Sequence, residues 1–204
     1  MGNDTAPRST PRKGDGRRAR RERNRIAVID AMVELLVEDR KPSVESVAER
    51  SGVSVSSVFR YFDNLDDLHR QTVERYFERF DPLFTVPELG DGPLDLRIRH
   101  LVGARVELYE TIAPIAREAR RRAAEHPLLA ERLRATRTRL LDQLREHFAP
   151  ELAALPRSAA EDRLALIDTM TSFESWDLLR TGHGRSPRRI ARAWSLGLDA
   201  VLQP

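Results

Sequence analysis

Apolar residues recur along this chain at helical spacing, and no stretch long enough for a strand alternates apolar with polar residues. Ile26, Ile29, Val33 and Leu36, widened by Met32 and Leu35, predict a first helix over about 22–38. Ser43 then stands where an N-cap belongs, ahead of a short helix at about 44–50. Asn64 caps another helix that runs to about residue 80, with Asp66 and Asp67 in the first turn, where the helix dipole favours negative charge. Further helices are expected over about 94–111, 112–124 and 127–148, with Pro114 breaking or kinking the first pair. Ser158-Ala-Ala-Glu161 has capping-box spacing and opens a helix to about 180, and Ser186-Pro187 opens the last one, to about 201. The fold class is all-α.

Pro82, Pro87, Gly90, Gly92 and Pro93 make the stretch 82–93 the clearest break in the pattern, and it reads as the connection between an N-terminal and a larger C-terminal module. The 204 residues, 40% of them apolar, suffice for both. The net charge of +3 conceals an asymmetry. Residues 1–25 hold nine basic groups against three acidic ones, a net of +6, so the rest of the chain carries −3. The expected organisation is a disordered basic arm over 1–21, an N-terminal helical module over 22–81 and a second domain over 94–204.

Several chemistries lack their residues. The chain has no cysteine, which removes disulfides and thiolate metal sites and fits a reducing cytoplasm. The N-terminus has no apolar core of a signal peptide, and no run approaches the ~18 apolar residues that cross a bilayer, so a cytoplasmic protein with no membrane partner is expected. The five histidines, His69, His100, His126, His147 and His183, form no metal-binding pair. GxGxxG, P-loop and GxSxG motifs are also missing, so neither an enzyme nor a cofactor or metal is expected.

The informative segment is Val44 to Phe62. Two short helices that cross steeply need a small residue where their backbones approach, and Ala48 supplies it; Gly52, four residues on, suits the left-handed turn between them. Val47, Val53 and Val58 fall where the pair must bury side chains, and Ser54 is placed to cap the second helix. Val55, Ser56, Ser57, Phe59 and Arg60 are then left on or near its outward face. Such a helix enters the major groove with its first residues against base edges. Ser56 and Ser57 are small enough for close approach, Val55 suits a thymine methyl, and Arg60 reads guanine or holds phosphate. The expected DNA-contacting set is Arg17, Arg18, Arg20 and Arg21 of the arm with Ser43, Ser54, Val55, Ser56, Ser57, Phe59, Arg60 and Tyr61, and the partner is double-stranded operator DNA.

The run from Ser43 to Leu68 resembles the DNA-binding segment of the tetracycline-repressor family, and the likeness is specific over about 22–80. Two positions depart from it. The family usually has Tyr where this chain has Phe59, and Lys where it has Leu65, so phosphate affinity is expected to lean on Arg60, Tyr61 and the arm. The resemblance implies a homodimer and a C-terminal cavity for a small-molecule inducer. His100, Arg105, Tyr109, Met170, Phe173, Trp176 and Asp177 are the expected lining, with Glu174 as a further polar member. In the last helix Ile190, Trp194, Gly197 and Val201 form one apolar stripe, and Ala193, Leu196 and Ala200 form a second beside it. Together with Leu164 and Ile167, the first stripe is expected to meet a second copy of the chain.

Overall fold

In the computed structural model the chain is described over residues 15–38 and 42–203, and the part of the expected arm before Asp15 lies outside this range. The described residues form ten α-helices and no strand, and the chain divides into two compact units between Tyr76 and Phe77.

The first unit contains α1 (Asp15–Val37), α2 (Val44–Ser51), α3 (Val55–Tyr61) and most of α4 (Leu65–Phe80). Helix α1 begins seven residues ahead of the expected start. Residues 15–21 are therefore helical where a disordered arm was expected, because Arg17 to Val37 contains neither proline nor glycine and Arg, Ala and Glu are good helix formers. Its buried stripe is Val28, Ile29, Met32 and Leu35, packed on Val47, Ala48, Val53, Val58, Phe62 and Leu68. Ile26, expected on that stripe, is exposed. The Arg75 guanidinium donates to Asp30 at 2.8 Å and ties α4 to α1. Asn64 caps α4 as expected, its side-chain oxygen accepting from the Asp67 N–H at 2.8 Å.

The second unit starts within α4, ahead of the expected boundary at 82–93. That stretch is not a free connection, since Phe84 and Val86 are buried within the second unit. Gln143 donates to the Phe84 carbonyl at 2.6 Å and Arg139 pairs with Asp81 at 2.5 Å. Helix α5 (Leu94–Arg122) runs unbroken through Pro114, where two helices were expected. Helices α6 (Pro127–His147), α7 (Ala149–Ala153), α8 (Arg157–Met170), α9 (Phe173–Asp177) and α10 (Pro187–Leu202) follow, with α10 lying along α5.

The expected single helix over 158–180 is divided. Ser158 makes no cap, since α8 starts at Arg157 behind Pro156, and α8 stops at Met170. Ser172 then caps α9 by accepting from the Ser175 N–H at 3.1 Å, and a π-helical turn over Leu178–Gly182 closes it. Ser186 caps α10 with Pro187 in the first turn, as expected.

Candidate nucleic-acid interface

The geometry of α2 and α3 follows from a few residues. Ser43 and Ser46 cap α2 reciprocally, each backbone N–H donating to the other's hydroxyl at 2.9 and 3.1 Å. Gly52 ends the helix at φ 67°, ψ 22°, and the next N–H, that of Val53, returns to the Ala48 carbonyl at 3.1 Å. That left-handed turn redirects the chain, while Val53 and Val58 anchor α3 to the core.

Helix α3 consequently presents one buried residue and a solvent face. Val55, Ser56, Phe59 and Arg60 are exposed, Phe59 by 60% of its surface, and Ser57 and Tyr61 are half-buried. Ser54 differs from its expected role. Its hydroxyl bonds Ser57 Oγ at 3.0 Å and Ser56 Oγ at 3.2 Å, not the backbone, and only its carbonyl receives the Ser57 and Val58 N–H groups. The serine hydroxyls thus form a linked chain on the exposed start of α3, and the Arg60 guanidinium donates into it at Ser57 Oγ, 2.9 Å away.

The basic face of α1 lies beside this surface. Arg21 donates to the Arg60 carbonyl at 3.4 Å and Asn24 to the Tyr61 hydroxyl at 3.1 Å, so the first turns of α1 run next to the end of α3. The Asn24 amide also lowers the Tyr61 pKa from its ordinary value. Arg17, Arg18, Arg20 and Arg21 are all exposed on a helix, which fixes their spacing as a disordered arm would not. Asn24 is the site member that sequence reasoning missed; its position one turn beyond Arg20 and Arg21 becomes informative once α1 is extended backwards.

The expected ligand residues of the second unit are only partly brought together. Tyr109, Phe173 and Trp176 meet with Trp194 in one aromatic cluster, with ring centroids 5.4 to 6.3 Å apart. All four rings are buried and pack on one another. His100 lies elsewhere, in a surface cleft of about 350 Å³ with Pro82, Pro87 and Gly103. Asp177 and Glu174 are held by Arg117 at 2.7 Å and Arg120 at 2.8 Å, which commits both carboxylates to joining α9 to α5. Met170 packs over Gly197, where a Cβ would stand 2.4 Å from its sulfur. Arg105 is buried beside α6, donating to the Leu140 carbonyl at 2.9 Å.

The expected interface stripe also needs correction. Ile167, Ile190, Trp194 and Leu164 are buried inside the single chain, at 0, 0, 2 and 7% exposure. They cover α5 and one another because α10 turns its most apolar face inward; Gly197 and Val201 are half-buried at its margin. The side of α8 and α10 left exposed carries Leu166 (52%) and Leu196 (72%), with Ala200 exposed and Ala193 half-buried.

Among the described residues no helix is long and apolar enough to cross a membrane, and no cluster of three His, Asp or Glu side chains could hold a metal ion. No family model matches the chain. Over 88 residues it is 27% identical to the HTH-type transcriptional repressor LfrR of Mycolicibacterium smegmatis, a match spanning 43% of this chain and 47% of that repressor. The chain thus aligns with about half the length of that relative. Two solved structures have the same fold: a transcriptional regulator from Rhodococcus sp. Rha1 and a protein of Streptomyces coelicolor A3(2) described as a transcriptional regulator. The first is 24% identical with a TM-score of 0.59, covering 90% of this chain and 96% of its own. The second is 19% identical with a TM-score of 0.57, covering 89% and 99%. The fold is therefore one that transcriptional regulators use.

Proposed function

We propose that this chain is a DNA-binding transcription regulator of the tetracycline-repressor type, working as a homodimer that a small molecule releases from its operator. The observation that carries this reading is the exposed face of α3, with Val55, Ser56, Phe59 and Arg60 outward and a row of helical arginines beside it. Apolar and hydroxyl groups at the start of such a helix suit base edges, and the arginines suit the phosphates that flank them. The match to a repressor and the fold shared with two regulators support the same conclusion.

In this reading a dimer holds two α3 helices about one turn of DNA apart, roughly 34 to 36 Å, so that they fit a palindromic site. A ligand that binds better to a state with another spacing shifts the population towards that state and lowers operator affinity. The dimer face is the exposed side of α8 and α10, around Leu166 and Leu196, and replaces the buried stripe expected from sequence.

Selection of bound fragments from random DNA tests the proposal. The full chain should enrich a palindrome, and Ser56→Leu should lose that site while keeping its helical content. A protein that enriches no sequence over the random pool would be a basic nucleic-acid binder without readout, and the proposal would fall.

A further inference from the structure

Between the buried Val86 and the start of α5 the chain runs through residues 87–92 without one buried side chain. Three of these residues lie in the left-handed region, Glu88 at φ 48°, Gly90 at 81° and Gly92 at 86°. The glycines adopt it freely, whereas Glu88 has a Cβ and is strained. Among the described residues two hydrogen bonds tie this strap to the helices. The Gly90 N–H donates to Nδ1 of His147 on α6 at 2.9 Å, and Nε of Arg97 on α5 donates to the Gly92 carbonyl at 3.0 Å.

The first bond exists in only one protonation state of the ring. Nδ1 accepts and so carries no proton, while Nε2 donates to the Arg97 carbonyl at 2.7 Å, which leaves the fully buried imidazole neutral. A proton on Nδ1 would set two N–H donors against each other across the same 2.9 Å. The charged and titratable groups around the ring do not offset that. From α5 come the Arg97 guanidinium and His100, and from α7 comes Glu151, whose carboxylate both terminal nitrogens of Arg97 already hold at 2.5 and 2.8 Å. His100 acts in the opposite sense, because its Nδ1 lies 3.7 Å from the Glu88 carboxylate and would draw the strap in when protonated. We propose that residues 87–92 form an acid-released strap: a proton taken up by His147 expels the Gly90 N–H, the turn at Glu88 relaxes, and the strap lifts off α6. The Arg97–Glu151 pair keeps α5 and α7 joined meanwhile. The device lies within the second unit and is independent of the proposed function.

Amide hydrogen exchange of the full chain without DNA tests this, read residue by residue by NMR between about pH 8 and pH 5 and corrected for the intrinsic rate at each pH. Protection of the Gly90 amide should fall by up to about tenfold for each pH unit below the titration of His147, while the amides of Leu101 and Leu108 in α5 stay protected. The ring nitrogens of His147 should titrate with the same midpoint. His147→Gln supplies an oxygen for the Gly90 N–H and a donor for the Arg97 carbonyl but takes up no proton, so its strap should stay closed throughout. His100→Gln should leave the release in place. The strap would be overturned by a ring that takes no proton in this range, by a Gly90 amide that stays protected once the ring is charged, or by equal opening in His147→Gln. Loss of protection at Leu101 and Leu108 together with Gly90 would overturn it too, since the whole unit would then be unfolding. Should the glutamine variant fail to fold, the agreement or disagreement of the two wild-type midpoints decides.

Discussion

Two substitutions about 3 Å of helix rise apart should have opposite consequences, and the contrast tests how α10 is used. Trp194 is 2% exposed, stacked edge-on against Tyr109 with centroids 6.3 Å apart, and its indole N–H donates to Ser175 Oγ at 3.3 Å. Truncating such a residue costs about 3 to 5 kcal/mol, and Trp194→Arg adds a buried charge with no carboxylate prepared for it. Against a domain stability of about 5 to 15 kcal/mol, that change should unfold the second unit or leave it marginal. Leu196 is 72% exposed, so Leu196→Arg should change the stability of the single chain by no more than about 0.5 kcal/mol.

In a two-fold dimer, however, each buried Leu196 contributes about 1 to 2 kcal/mol, scaled from the value for a whole leucine, and two copies contribute about 2 to 4 kcal/mol. Removing both should raise the dimer dissociation constant roughly 30- to 700-fold, before the mutual repulsion of two arginines is added. Sedimentation at micromolar concentration with parallel circular dichroism reads both effects. Leu196→Arg should be a folded monomer that has lost tight operator binding, and Trp194→Arg should lose cooperative thermal unfolding of the second unit. A Leu196→Arg protein that stays dimeric would refute the α8–α10 face as the interface. A Trp194→Arg protein that is a well-folded monomer would refute the assignment of that ring to the core.

Replacing Arg17, Arg18, Arg20 and Arg21 with alanine should reduce the log–log salt slope of DNA binding by ~0.9 for each phosphate that the protein no longer neutralises; titrations between roughly 50 and 200 mM salt check it, and an unchanged slope would place α1 off the DNA. Gly52→Ala meets no atom within 4 Å but must hold φ at +67°, so it should cost the first unit about 1 to 2 kcal/mol, read as a lower urea midpoint, whereas Gly52→Asn should cost less. His147 is fully buried and neutral, its Nδ1 accepting from the Gly90 N–H at 2.9 Å and its Nε2 donating to the Arg97 carbonyl at 2.7 Å. Burial holds its pKa below the ordinary 6.5, so the unfolded chain binds the extra proton more readily. Stability of the second unit should therefore be complete above about pH 6.5 and fall below it, by at most about 1.4 kcal/mol per pH unit; urea melts should show this loss in the wild type and a flatter profile in His147→Gln.

What the sequence disclosed depended on whether a signal was local. The all-α class, the turn at Gly52, and the caps at Ser43, Asn64 and Ser186 are set by residues within a few positions of one another, and periodicity and capping rules read them directly. The face of α3 was legible for the same reason, since burying Val58 turns Ser56, Phe59 and Arg60 away from the core, and Val55 stays exposed as the first residue of the helix. The start of α1 was obscured because a run of arginines resembles a solvated tail as much as a helix. Composition could not show that Arg21 and Asn24 each have a partner on α3. The two apolar stripes of α10 were both visible, but which one turned inward depended on the fit of Trp194 to Tyr109 and Ser175, residues on other helices.

Pro114 shows how such distant packing overrides a local rule. A proline inside a helix removes one backbone donor, leaving the Glu110 carbonyl without its usual partner, at a cost of about 3 kcal/mol. Yet α5 continues for two more turns, because Ile112, Ala113, Ile115 and Ala116 are all buried around the proline, and each large aliphatic side chain so placed contributes about 1.5 to 3 kcal/mol. Beyond it Arg117 and Arg120 bind Asp177 and Glu174 while their guanidinium groups lie over Trp176 and Phe173, 5.7 and 4.1 Å from the ring centroids. Glu110 in turn accepts from the Trp176 indole N–H at 3.2 Å and from Arg180 at 3.0 Å. The polar residues that looked like lining for a cavity thus clasp α9 to α5, and that clasp keeps α5 helical beyond its proline. Of the charged groups expected around a ligand, Arg105 is the one that this network leaves without a carboxylate among the described residues.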